Sequence, residues 1–256
     1  MHFALDRATR SRLVVLAGIL ALLAAVRLAL ELPAARQVLP AAAGDAVLRE
    51  VATDRRQVAL TFDVMEGSGV PSQVLDALAR MRVRATFFAS GSWARDHGDL
   101  LRRMAKEGHQ VETLGFRAGS VADRPVQQVL RELRQSVTTI QQETGRPVRF
   151  LRPPAGGYDA GVLAAAREAG LRVVLWSLDS HDWANPGVDY IVDRVARHAR
   201  PGSIVRLSAS DFASQTPRAV PAIVEELARE GLRPVTLDAL LQDGRKGSGG
   251  HTAPGP

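Results

Sequence analysis

From Val51 onward, short apolar runs alternate with longer stretches in which apolar residues recur every three or four positions. The runs are Val58 to Val64 (VALTFDV), Ala85 to Ser90 (ATFFAS), Gln110 to Leu114 (QVETL), Arg149 to Ala155 (RFLRPPA), Arg172 to Asp179 (RVVLWSLD), Gly202 to Ser208 (GSIVRLS) and Arg233 to Leu237 (RPVTL). Each has the length and β-branched or aromatic content of a strand, and the intervening stretches have a helical period. PSQVLDALARM opens with Pro71 in a first-turn position, and TPRAVPAIVEELAREG stops at Gly231, both ordinary helix boundaries. Strand and helix in strict alternation predict βα units and a parallel sheet or barrel. Seven strands are one short of a complete (β/α)8 barrel, so the expected fold is α/β, a distorted (β/α)7 barrel.

The chain before Val51 has a different texture. Arg7, Arg10 and Arg12 precede the 14-residue apolar run LVVLAGILALLAAV, Leu13 to Val26, and Leu13 to Leu30 gives 18 residues if Arg27 snorkels to the interface. Such a segment suits either a signal peptide or a signal anchor. No small-x-small site directly follows it, the nearest Ala-rich candidate lying near Ala43. An uncleaved anchor is therefore preferred over a cleaved signal peptide or a buried helix. The basic flank then leaves the rest of the chain outside the cytoplasmic membrane, single-pass, or secreted if the segment is cleaved. The expected organisation is a basic n-region over 1–12, a membrane segment over 13–30, an Ala/Pro-rich stalk over 31–50, the folded domain over 51–242 and a disordered Gly/Pro-rich tail over 243–256.

With 256 residues, 46% hydrophobic and 23% charged, the chain can bury one substantial core. It has no cysteine, which excludes disulfides, thiol nucleophiles and cysteine-zinc sites. Net charge is +6, and all but two of its 33 basic residues are arginine, Lys106 and Lys246 being the exceptions. A basic surface suits anionic partners, but the arginines are scattered and form no dense tract. With no RNP, helix-turn-helix or zinc-finger pattern, nucleic acid is not an expected partner.

In a parallel barrel the catalytic groups gather at the C-terminal strand ends. The polar residues there are, in chain order, Asp63, Arg152, Asp179, Asp182 with Trp183 beside it, Ser208 and Asp211. In this order, ALTFDVMEGS, GHQVETLGFRAGS, FLRPPAGGYD, VLWSLDSHDWANPG and GSIVRLS resemble the five successive motifs of the polysaccharide deacetylase (NodB-homology) family, over about Val51 to Leu241. FLRPPAGGYD and WSLDSHDWANPG are the specific matches; the others are recognised by order and spacing. ATFFASGSWA and the residue after Asp63 are similar to the sporulation-associated branch.

The resemblance implies a peptidoglycan or chitin-like substrate and hydrolysis of its N- or O-acetyl groups. In that chemistry a divalent metal such as zinc, held by one Asp and two His, polarises the acetyl carbonyl and activates water. An aspartate takes the proton and a histidine protonates the leaving amine. By the motifs Asp63 is the base, Arg152 orients it, Asp182 tunes the acid and Trp183 walls the groove. The ligand positions, however, are Val64, Leu114 and Ala118, and Ser208 stands at the acid position. His109 belongs to the Gly-His pair ahead of the ligand histidines, and at strand rise it lies about 15 Å from the strand end. A lone aspartate does not hold a divalent ion, so no cofactor is expected.

A substitute oxygen-rich site from Asp63, Glu66, Glu112 and Asp211 is the alternative. Asp63 and Arg152 also have a structural use as a buried ion pair. Trp183 and Tyr158 could stack on sugar faces beside Ser208, or simply pack. His181 reads as an isolated loop histidine, and RLSAS around Ser208 lacks the glycines of a nucleophile elbow. The sequence therefore leads to a degenerate envelope protein that binds cell-wall glycan or an envelope protein. An active deacetylase with Asp63 as base and a noncanonical metal site is the runner-up, and a purely scaffolding domain the third possibility.

Overall fold

The computed structural model describes residues 47–247, apart from 118, 120 and 123. The n-region, the proposed membrane segment, the stalk as far as residue 46, Ala118 and the last nine residues lie outside the described residues. No helix among the described residues is long and apolar enough to cross a membrane.

Among the described residues eight parallel strands form one curled sheet, in the order β5-β4-β3-β2-β1-β7-β6, with β8 paired to the lower half of β1. They are β1 (Gln57–Val64), β2 (Thr86–Ala89), β3 (Gln110–Thr113), β4 (Phe150–Leu151), β5 (Arg172–Val173), β6 (Leu178–Asp179), β7 (Ile204–Ser208) and β8 (Arg233–Val235). Among the described residues there are eight α-helices: α1 (Gly69–Met81), α2 (Gly91–Asp96), α3 (Gly98–Lys106), α4 (Val126–Thr144), α5 (Ala160–Glu168), α6 (Val188–His198), α7 (Thr216–Arg229) and α8 (Leu237–Gly247), the last packing Leu237 and Leu240 into the interior cluster. Every residue of β1 is buried, as expected of a central strand in a sheet covered on both faces.

The pleat sorts the strand residues into two apolar layers. Val58, Leu60, Phe62 and Val64 join the helix-facing layer with Val111, Leu151 and Val205. Ala59, Phe88, Leu114, Phe150, Val174 and Ile204 fill the concave interior, with Trp176 against them.

Three expectations need correction. The single run Arg172 to Asp179 is two strands, because the chain passes from the β4 side, where Val174 N still donates to Leu151 O, to the β7 side, where Ser177 N donates to Ile204 O; between them the pairing partner comes from upstream. Leu48 bridges Val174 in parallel, donating to Val173 O at 3.0 Å and accepting from Leu175 N at 2.8 Å, and Glu50 bridges Ser203 antiparallel. The segment 47–50, assigned to the stalk, thus stitches the seam between β5 and β7, and Leu48 and Val51 are buried in the interior layer. Two anchoring residues are too few to show a period. At the other end α8 continues to Gly247, beyond the expected boundary at 242.

The seam depends on Gly202, whose φ is +86°. A Cβ there would stand 1.8 Å from Val51 O, while the backbone of Gly202 donates to Gln57 O and accepts from Val51 N. Gly202→Ala is expected to lose about 1–2 kcal/mol from the left-handed backbone alone, and more from the Val51 O contact, read as the urea unfolding midpoint; a loss within about 0.5 kcal/mol would mean that the seam yields without cost.

Candidate functional site

The C-terminal strand ends bring together Asp63, Arg152, Asp179, Asp182, Arg206 and Ser208. Asp63, at the end of β1, is 2% exposed. Its Oδ1 accepts from Arg152 Nη1 at 2.8 Å and its Oδ2 from Arg206 Nε at 2.9 Å, so each carboxylate oxygen has its own guanidinium.

Arg152 follows β4 and is fully buried. Its Nη2 donates to Leu175 O at 3.2 Å, and its guanidinium carbon lies 4.0 Å from the Phe88 ring centre and 5.6 Å from that of Trp176. Its Nε has no partner. Burial lowers its pKa, with the charge of Asp63 working against that shift. Arg206, on β7, is the residue that the motifs overlooked. Its Nη1 donates to Asp179 Oδ2 at 3.0 Å and its guanidinium carbon stands 4.4 Å over Trp176. Burial works to lower its pKa, but Asp63 and Asp179 outweigh it and raise the value. A signal was present: in IVRLS the two-residue period sets Arg206 on the face of Ile204 and Ser208, the interior one.

Asp182 stands next to Ser208, the residue at the acid position. Its Oδ2 accepts from Ser208 N at 2.7 Å and from Thr216 Oγ1 at 2.6 Å, tying the loop after β6 to the end of β7 and the start of α7. Burial pushes its pKa up to about 6, against the hydrogen bonds from Ser208, Thr216 and Ser180. Ser208 is buried and its Oγ has no partner. His181 takes a left-handed backbone, with its N–H on Asp179 Oδ1, which makes it a turn residue. Trp183 beside it is 51% exposed, and Phe212 on the loop after β7 is also exposed. The two loops are joined by Asn185 Nδ2, which donates to Phe212 O at 2.6 Å. Tyr158 does not join them: it is half-buried against the helix-facing layer.

The alternative oxygen cluster does not assemble. Glu112 is fully buried on β3, where its Oε2 accepts from Arg149 N and Phe150 N at 2.7 and 2.8 Å and its Oε1 from Gln110 Nε2 at 2.8 Å. It fixes the entry of β4. Burial pushes its pKa up to about 7 despite these donors. Asp211 Oδ1 accepts from Val70 N at 2.8 Å, satisfying a free amide in the first turn of α1, and Glu66 is exposed. His109 sits at the start of β3, its Nδ1 accepting from Ala85 N at 3.1 Å; burial lowers its pKa to about 4, with Glu107 opposing.

A zinc-type site needs three or four nitrogen, oxygen or sulfur ligands at close range. Val64 faces the helices and Leu114 the interior, neither with a donor atom, and Ala118 has only a methyl side chain. Both oxygens of Asp63 are engaged by arginine. Among the described residues no three His, Cys, Asp or Glu side chains come together as a metal-binding group. The residues present do not fit the family's metal.

A curled parallel sheet with its polar groups gathered at the C-terminal mouth is the frame of a barrel hydrolase. The polysaccharide deacetylase profile matches residues 50–174, and the chain belongs to that family. It is 38% identical over 193 residues to a chitooligosaccharide deacetylase of Rhizobium leguminosarum bv. trifolii, covering 75% of this chain and 86% of the relative. It is 33% identical over 196 residues to a peptidoglycan-N-acetylglucosamine deacetylase of Bacillus cereus, covering 75% of this chain and 92% of the relative. Its fold is similar to the crystal structure of BA3943, a carbohydrate esterase family 4 pseudoenzyme from Bacillus anthracis. There the TM-score is 0.73 and the identity 23%, over 78% of this chain and 70% of the other.

Proposed function

We propose that this chain has the deacetylase barrel without metal-dependent deacetylation and holds an N-acetylated cell-wall glycan at its mouth. The observation that carries the reading is the state of Asp63. A general base must reach the water that it activates, and here both carboxylate oxygens are hydrogen-bonded to guanidiniums. The position matching the acid is a serine, and neither Val64 nor Leu114 offers a ligand atom.

Glycan is favoured as the ligand because the relatives are named for chitooligosaccharide and peptidoglycan. Exposed Trp183 and Phe212 on two joined mouth loops offer aromatic faces of the kind that pack on sugar rings. The basic-apolar segment over 1–30 is the reason for placing this activity at the outer face of the cytoplasmic membrane. The second reading, an active deacetylase with Asp63 as base, is favoured by the 38% identity to an enzyme.

One experiment separates them. The full chain is incubated with chitooligosaccharides and with peptidoglycan fragments, zinc or cobalt being supplied, and acetate is measured. No release above the blank is expected. Calorimetry should instead detect binding of the oligosaccharide, weakened roughly tenfold by Trp183→Ala, the loss of about 1.4 kcal/mol of stacking. Metal-dependent acetate release that Asp63→Asn abolishes would establish the second reading and overturn the first.

A further inference from the structure

Arg206 has no place in the mechanism implied by the motifs, yet it spans two carboxylates at the mouth. It lies 2.9 Å from Asp63 Oδ2 and 3.0 Å from Asp179 Oδ2, its side chain is only 16% exposed, it stacks on Trp176 at 4.4 Å, and with Arg152 on Asp63 Oδ1 it balances the carboxylates one guanidinium to each. In the family a divalent cation sits beside the base aspartate. In this chain the positive charge arrives covalently attached.

We infer that Arg206 is a tethered counter-ion: it supplies to Asp63 and Asp179 the positive charge that a free divalent ion would otherwise bring, and so makes the mouth refuse such ions. The inference rests on the reading of the mouth as one without the family's metal. It goes further by naming the residue that keeps metal out. Without the guanidinium, Asp63 would keep Arg152 and Asp179 would lose the arginine it pairs with, and two carboxylates turned to one site cannot both stay charged at low cost. A hard divalent ion with a preference for oxygen relieves that repulsion. The partnerless Oγ of Ser208, on the same inward face of β7, offers a further oxygen. The vacancy created by substitution would thus draw a cation where the native side chain excludes one.

The test is thermal unfolding of the full chain in chelator and in excess manganese(II), for wild type, Arg206→Met, Arg206→Gln and Arg206→Lys. The wild-type melting temperature is expected not to move with manganese. The Met and Gln variants should melt lower in chelator and recover by roughly 3 °C or more with the ion. The Lys variant, which keeps the charge, should stay indifferent. If Arg206→Met fails to fold, Arg206→Gln, which keeps a hydrogen-bond donor, answers alone. Equal manganese stabilisation of wild type and the Met or Gln variants would overturn the inference, as would Met and Gln variants that ignore the ion. Acetate release by a wild type indifferent to manganese would sink the glycan-binding reading and leave the counter-ion standing; silent Met and Gln variants would do the reverse.

Discussion

Asp63→Ala is expected to lose about 3–5 kcal/mol of folding stability, the range for removing one partner of a buried ion pair. Arg152 is fully buried, and Asp63 is the carboxylate that it contacts directly; without it a guanidinium is left against Phe88 and Trp176. Arg206 fares better, since Asp179 still holds it. Asp63→Asn should lose less, because the amide oxygen still accepts from one arginine while the charge is gone. Urea unfolding at neutral pH of the two variants beside Asp211→Ala separates pairing from capping. Asp211 caps α1 from an exposed position, so its loss should be about 1 kcal/mol. If Asp63→Ala also stays near 1 kcal/mol, the arginines find water or other partners and the pair is not structural. A large loss would mean that the motif's aspartate can persist for folding alone.

The second large effect is a pH dependence. Glu112 in the folded chain is pushed up from the usual 4.5 to about 7 by burial. Its folded-state pKa is raised, so its stabilising contribution is fully present below pH 4.5, where both folded and unfolded states hold the proton. It is lost as pH rises through about 7. The shift corresponds to about 3 kcal/mol. Asp182, raised from 3.8 to about 6, acts in the same sense. His109, lowered from 6.5 to about 4, acts in the opposite one, its contribution being present above 6.5 and lost as pH falls through about 4. Glu112→Gln isolates the first: the difference in urea unfolding free energy between wild type and variant should move by about 3 kcal/mol from pH 4.5 to pH 8, against the wild type at the higher pH. An unchanged difference would mean that the three donors from Arg149, Phe150 and Gln110 keep the carboxylate charged throughout.

Much of this fold was legible because its strands are apolar runs and its helices have clear ends. β1 and β7 were found within a residue or two. What escaped depends on tertiary pairing. The break between β5 and β6 is set by Leu48, whose partner Val174 lies far along the chain, and no local pattern at Trp176 announces it. The motifs placed Asp63, Arg152 and Asp182 at the C-terminal strand ends, where the structure has them. Motif position did not carry the partners: Asp182 accepts from the Ser208 amide, and Tyr158 packs against the helix-facing layer. Arg206 was missed because it sits in a motif recognised by its last residue, although its alternation with Ser208 placed it inward.

The seam at 47–51 has a mechanical meaning. Where a chain is held by its N-terminus, load reaches the folded part through the first residues that are built into it. Among the described residues the first are Leu48 and Glu50, paired to β5 on one side and to Ser203 before β7 on the other. A pull on the upstream chain would bear on this stitch before any other strand, and its failure would part the sheet beside Trp176 and Arg206. Tension on the upstream chain and the shape of the mouth are joined by two backbone bridges, so a fragment begun at Val51 would keep every motif and lose its fastening.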